Sequence, residues 1–169
     1  MKKRCDVTRY RSLAAVVAVI IVIAICGRLN APVIMYKAVE DGNLPLVRVL
    51  LSVFPKLLNA RAPVGDLPEL EERIGRNQML SVAIQARQKS MALYLISKGA
   101  DVNDRGYYGC TPLHFAAEWG DTEVIRTLIR HGADANLRDS GGRQPLQEAL
   151  DSGNKDAVQL LREVANCRH

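Results

Sequence analysis

The residues of this 169-residue chain with the chemistry for nucleophilic, redox or metal work are four cysteines and three histidines. The cysteines are Cys5, Cys26, Cys110 and Cys167. None forms a C-x-x-C pair, and no histidine stands at a zinc-site spacing from them. His131 precedes a glycine that can close a helix, where a cation suits the helix dipole. No Ser/His/Asp set, phosphate-binding loop or framed pair of carboxylates occurs, and Gly141-Gly142 alone is a turn signal. These patterns predict a protein that is not an enzyme, with no catalytic residues, no metal, no cofactor and no small-molecule substrate.

Composition limits the partner. Hydrophobic residues make up 48% of the chain and aromatic residues 5%, which suits helices packed through Leu, Val, Ile and Ala. The net charge of +5 is confined to one end. Residues 1–29 hold six basic side chains and one acid, and residues 30–169 hold 17 of each. Nucleic-acid recognition needs Lys and Arg clustered on the folded domain, so the balanced domain argues for no nucleic acid among its partners.

The basic end continues into an apolar run, LAAVVAVIIVIAIC, at Leu13–Cys26. A basic segment before a short apolar core describes a secretory signal. A membrane span needs roughly 17 or more residues, and Ser12–Gly27 supplies 16 uncharged ones, flanked by Arg11 and Arg28, which can snorkel. Ala24 and Cys26 make a poor cleavage site. Ile25 stands where a lipobox wants a small residue. The expectation is one apolar N-terminal helix, an uncleaved signal anchor or transmembrane helix contacting the membrane through residues 12–27. By the positive-inside rule its basic end is cytoplasmic, and the rest is periplasmic or otherwise extracytoplasmic. The alternative is secretion after signal cleavage.

Internal periodicity organises the remainder. Gly99-Ala100-Asp101 recurs as Gly132-Ala133-Asp134, Gly109 as Gly142, and Leu113 as Leu146, each 33 residues on. The fullest unit reads Thr111-Pro112-Leu113-His114-Phe115-Ala116-Ala117, then Gly120-Asp121, then Val124, Ile125, Leu128 and Ile129, then Gly132. Thr111 is a good N-cap and Pro112 needs no donor at the first helical position. Gly120 can end the first helix, Asp121 can cap the second, and Gly132 supplies a left-handed C-cap. Asp134–Gly142 is then a turn or hairpin.

The period and the T-P-L-H-x-A motif together resemble the ankyrin repeat. The resemblance implies an all-α ankyrin-repeat solenoid of helix-turn-helix units with short hairpin loops over residues 30–169. The units are read at 33–59, 77–110, 111–143 and 144–169, with an inserted loop at 60–76. In the second unit Gln78-Met79-Leu80-Ser81 replaces T-P-L-H and Arg87 replaces the glycine; the fourth keeps only Pro145 and Leu146. Arg162 stands where Ile129 stood, as a polar outer cap requires. The insert, with Pro63, Gly65, Pro68, Glu69, Glu71 and Glu72, is either a binding loop or a tolerated surface loop. Cys110 and Cys167 fall at opposite ends of the last two units. A disulfide needs Cα atoms within about 7 Å, so both are expected unpaired.

In such a family His114 is structural, and the repeats bind another protein through hairpin tips and the exposed ends of the first helices. The corresponding positions are Arg105, Tyr107, Tyr108, Cys110, Glu118 and Trp119 in the third unit. In the fourth they are Arg138, Ser140, Arg143, Asp151 and Ser152. Gln85 and Ala86 in the second unit, and Glu40 and Asp41 in the first, hold the Glu118–Trp119 register. This predicts a concave surface with three aromatics at its centre and acids along the helix row. Tyr and Trp favour binding hot spots; the alternative is that Trp119 folds over its own repeat while the tyrosines stiffen the hairpin. The function expected is a membrane-anchored protein-interaction module or scaffold, or alternatively an immunity or inhibitor protein neutralising a cognate toxin or enzyme in the periplasm.

Overall fold

Three helices of this chain start where an extended residue, Gln78, Thr111 or Gln144, meets a helix former. Thr111 (φ −94°, ψ 164°) and Gln144 (φ −94°, ψ 160°) are both extended, as a residue before proline must be, and Pro112 and Pro145 open the helices that follow. The computed structural model describes residues 31–60 and 78–166. The apolar N-terminal helix, the signal or membrane reading, nearly all of the 60–76 insert and Cys167 lie outside these residues. Among the described residues no helix is long and apolar enough to cross a membrane.

Four helix pairs result. They are α1 (Ala31–Glu40) with α2 (Leu44–Val53), α3 (Met79–Gln85) with α4 (Lys89–Ser97), α5 (Pro112–Trp119) with α6 (Thr122–Arg130), and α7 (Pro145–Asp151) with α8 (Lys155–Asn166). Short 3-10 turns follow α2 at Pro55–Asn59 and precede α5 at Tyr107–Gly109. The described residues contain no strand, in accord with the all-helical solenoid expected. The first helices stack in one row, α1 on α3 on α5 on α7, and α4, α6 and α8 form the second row behind them.

Register explains the two rows. Ala38, Ala83, Ala116 and Ala149 occupy one position of successive first helices, and all are buried. Their small side chains let the helices of that row approach closely. Leu50, Leu95, Leu128 and Leu161 occupy one position of the second helices and are buried too. Each fully buried Leu stabilises the stack by roughly 1.5–3 kcal/mol.

Polar ties then fix one unit to the next. The Asn103 side chain accepts from the Asp134 N–H at 2.8 Å and donates to the Gly132 carbonyl at 2.9 Å. Asn59 does similar work earlier, accepting from Gln78 and from the Asp101 N–H, both at 3.1 Å. His114 is the strongest tie. Its Nδ1 accepts from the Thr111 N–H at 3.1 Å and lies 2.8 Å from the Thr111 hydroxyl. The proton must then sit on Nε2, which donates to the Arg143 carbonyl of the next hairpin at 3.0 Å. Burial lowers the His114 pKa and keeps the ring neutral, against the Arg143 carbonyl bond, which raises it. The equivalent position in the second unit is Ser81, too short to repeat the bridge, and its buried hydroxyl has no hydrogen-bond partner.

Candidate functional site

The positions expected to bind a partner divide between the two ends of α5. At the end where the helix begins, the 3-10 turn Tyr107–Gly109 forms a hairpin tip. Gly106 N–H donates to the Cys110 carbonyl at 3.0 Å, and the Ser140 N–H of the next hairpin donates to the Tyr108 carbonyl at 2.7 Å. Tyr108 has φ 54°, left-handed for a bulky residue, and is 65% exposed. Such a backbone conformation costs about 1–2 kcal/mol and persists only where its surroundings enforce it. The side chain of Tyr107 falls outside the described part of the structure.

Arginine braces hold these hairpins. Arg105 donates through Nη2 to the Arg138 carbonyl and through Nε, at 3.5 Å, to the Gly109 carbonyl. Arg138, 33 residues on, donates to the Gly142 carbonyl at 2.6 Å. Both were expected at the binding surface; their guanidinium groups are committed within the fold. The third arginine, Arg143, pairs through Nη2 with Glu148 at 3.0 Å and Asp151 at 2.5 Å. Glu148 and Asp151 thus meet at one guanidinium, Asp139 accepts from the Arg143 N–H at 2.8 Å, and Glu118 adds its charge to this neighbourhood. Their field is visible in two neighbours. Burial first, then Asp139, Glu148 and Glu118, push the Cys110 thiol up to about 11. Burial also raises the Glu148 pKa, opposed by Arg143 and reinforced by Glu118, Asp139 and Asp151. Cys110 is a half-buried free thiol, so at neutral pH it is neither a thiolate nucleophile nor a charged contact. The described residues contain no cluster of three or more His, Cys, Asp or Glu able to hold a metal ion.

At the other end of α5 stands Trp119, its last residue and 40% exposed. Seven residues separate Pro112 from Trp119, about 10 Å along a helix. Tyr108 and Trp119 therefore lie toward opposite ends of α5. Trp119 folds neither over its own repeat nor freely into solvent. The Arg87 guanidinium, from the preceding unit, lies over its ring at 4.0 Å. Arg87 occupies the register held by Gly42, Gly120 and Gly153, and like them it is left-handed, with φ 56°. A cation–π contact at an exposed site stabilises by about 0.5–1 kcal/mol, which offsets only part of the cost of the left-handed backbone. Beside this pair Lys89 bridges Asp121 at 3.5 Å and also Glu123. A cavity of about 270 Å³ opens here, lined by Ile84, Ala92, Val124, Arg87, Lys89 and Trp119, with Asp121 at its side.

In the same register Gln85 ends α3 and Glu40 ends α1, followed by Ala86 and Asp41. Ser152 follows α7 as its C-cap. Asn154 closes the open end of α5, donating to the carbonyls of Ala117 at 3.2 Å and Glu118 at 2.6 Å. Arg87, Lys89, Asp139 and Glu148 belong to the surface but were not among the expected binding residues. The signal for Arg87 was present, as a long basic side chain where three equivalent positions are glycine.

Comparison with known proteins agrees with this architecture. A family model of ankyrin repeats in three copies matches residues 80–168, just over half of the chain. The protein phosphatase 1 regulatory subunit 12A of Mus musculus is 32% identical over 91 residues, covering 54% of this chain and 8% of that protein. Its counterpart from Rattus norvegicus is 31% identical over 91 residues, with the same coverage. A probable E3 ubiquitin-protein ligase, XBOS32, from Oryza sativa subsp. japonica is 32% identical over 95 residues, covering 56% of this chain and 17% of that protein. The chain therefore spans less than a fifth of the length of each of these relatives.

Proposed function

The chain belongs to the ankyrin-repeat family, a family of protein-interaction modules, and on that premise we propose that its concave face from Tyr108 to Trp119 is a docking surface for a partner protein. The observation that carries this reading is Tyr108. A large aromatic is held 65% exposed on a left-handed backbone, and the next hairpin hydrogen-bonds the carbonyl of that same residue. An aromatic displayed at such a cost offers contact area with little side-chain entropy to lose. The carboxylates around Arg143 favour basic groups of the partner in the middle of the face. The relatives described as regulatory subunits fit a role in which the repeats position or restrain another protein rather than catalyse.

The N-terminal sequence supports a finer version. With six basic residues and a 14-residue apolar run ahead of the repeats, the module is tethered to a membrane, with its repeats on the extracytoplasmic side. The test is affinity capture with the full chain as bait, from membrane and soluble extracts, beside Tyr108→Ala. A partner retained by the parent and lost with the variant supports the docking face. Identical partners with both baits would move the site elsewhere. A reporter fused after His169 that is active only in the cytoplasm would overturn the orientation.

A further inference from the structure

Arg87 shares with Tyr108 a left-handed backbone on a residue other than glycine. Its left-handed backbone stands where equivalent positions are glycine, and its contact with Trp119 offsets only part of that cost. A guanidinium lying on an indole ring also leaves its in-plane N–H groups pointing outward, as a fork that fits a carboxylate bidentately. The neighbouring cation does not compete. Lys89 is already matched by Asp121 and Glu123, and the former also accepts from the N–H groups of Glu123 and Val124 at 3.2 Å. No ion pair to Arg87 occurs among the described residues, so its charge is uncompensated.

Directly beside the fork is the cavity of about 270 Å³ walled by Ile84, Ala92 and Val124. Small-molecule sites run from roughly 300 to 1,000 Å³. This opening lies just below that range and is suited to one or two side chains.

We infer that Arg87 and Trp119 form a clasp for an acidic-apolar segment of the partner protein: the Arg87 fork takes an Asp or Glu carboxylate, and the adjoining cavity takes an aliphatic side chain next to it. This inference rests on the docking reading above and deepens it. The clasp lies at the end of α5 away from the hairpin that carries Tyr108, about 10 Å along the helix from Pro112, and its charge is opposite to that of the carboxylates around Arg143. A bound partner then has a fixed direction, with acid at the Trp119 end and basic groups toward the hairpins.

Trp119 is the single tryptophan of the chain, so its emission reports the clasp directly. The experiment titrates the full chain with a blocked hexapeptide of alternating Glu and Leu, beside Gln/Leu and Lys/Leu peptides of the same length. The expected result is a saturable emission change with the Glu peptide, affinity at least about tenfold weaker for the other two, and weakening with salt. Arg87→Gly supplies a folded control, since glycine takes the left-handed backbone freely. It should hold the thermal midpoint within a few degrees and lose the peptide by at least about tenfold; Arg87→Lys should fall between. Equal binding of the Glu and Gln peptides would overturn the clasp. So would unchanged binding by Arg87→Gly, or no emission change and no heat at any peptide concentration. Emission that shifts with protein concentration alone, and stops shifting in Arg87→Gly, would replace the partner with a second copy of this chain. If peptide binding fails while Tyr108→Ala still abolishes capture, the clasp falls and the docking face stands.

Discussion

His114 should be the most expensive polar side chain of the last two units to remove. It is 1% exposed, and its ring links Thr111, at the start of α5, to the Arg143 carbonyl of the following hairpin. His114→Ala deletes the bonds to the Thr111 N–H and the Arg143 carbonyl, each worth about 1 kcal/mol net, together with the Thr111 hydroxyl contact that shares Nδ1, and orphans the N–H of Thr111, itself buried. The Arg143 carbonyl is less exposed to the loss, because it keeps the Asp139 N–H at 2.9 Å. The space left by the imidazole adds about 1 kcal/mol more. The sum is about 3 kcal/mol, a large share of the roughly 5–15 kcal/mol that a domain possesses. His114→Phe separates the terms, since it keeps most of the volume and loses only the hydrogen bonds, at about 2 kcal/mol. Urea unfolding followed by far-UV circular dichroism measures both, and amide exchange at Thr111 and in α7 and α8 locates the loss. Because stacked repeats couple only to neighbours, α7 and α8 should lose protection before α3 and α4. A His114→Phe variant within about 0.5 kcal/mol of the parent, with unchanged exchange in α7, would refute the bridge.

Three further outcomes follow from the same geometry. Burial lowers the His114 pKa below the ordinary 6.5, so the unfolded chain takes up the proton first. Stability should be fully present above about pH 6.5 and should decline as pH falls toward the folded value, a dependence that His114→Phe removes; urea midpoints at pH 7.5 and 5.5 would show it. Ser81→Ala removes a buried hydroxyl without a hydrogen-bond partner from the interior of α3, and should raise stability by up to about 1 kcal/mol by the same denaturation, whereas a loss of that size would mean the hydroxyl is satisfied. The Cys110 thiol, pushed from 9.0 to about 11, should react with iodoacetamide at pH 8.5 at least about tenfold more slowly in the folded chain than Cys110 does in urea, as read by peptide mass spectrometry. Equal rates would refute its protonated state.

The scaffold was legible because its geometry repeats. Gly132, Thr111-Pro112 and Leu128 announce caps, helix starts and core positions by residue type, and the 33-residue period carries them from unit to unit. The surface was less legible because long side chains choose partners that spacing does not reveal. Arg105 and Arg138 stand at hairpin positions, yet their three-methylene arms carry planar guanidinium groups to carbonyls 4 residues on in their own hairpins. Arg143 likewise turns to Glu148, on a helix whose register gives it a place equivalent to Phe115. Trp119 was weighed between solvent and its own repeat; its cover is Arg87, 32 residues earlier, and only the stacking of one unit on the next brings them together.

The buried alanines Ala38, Ala83, Ala116 and Ala149 set more than a packing distance. The first-helix row repeats a methyl group at this position, where the row behind repeats a leucine at its own. At that position neighbouring first helices have no room for a larger side chain without moving apart. A single added carbon at one of these alanines would push two units apart at that joint, changing the shapes the surface can meet without touching any residue that meets the partner.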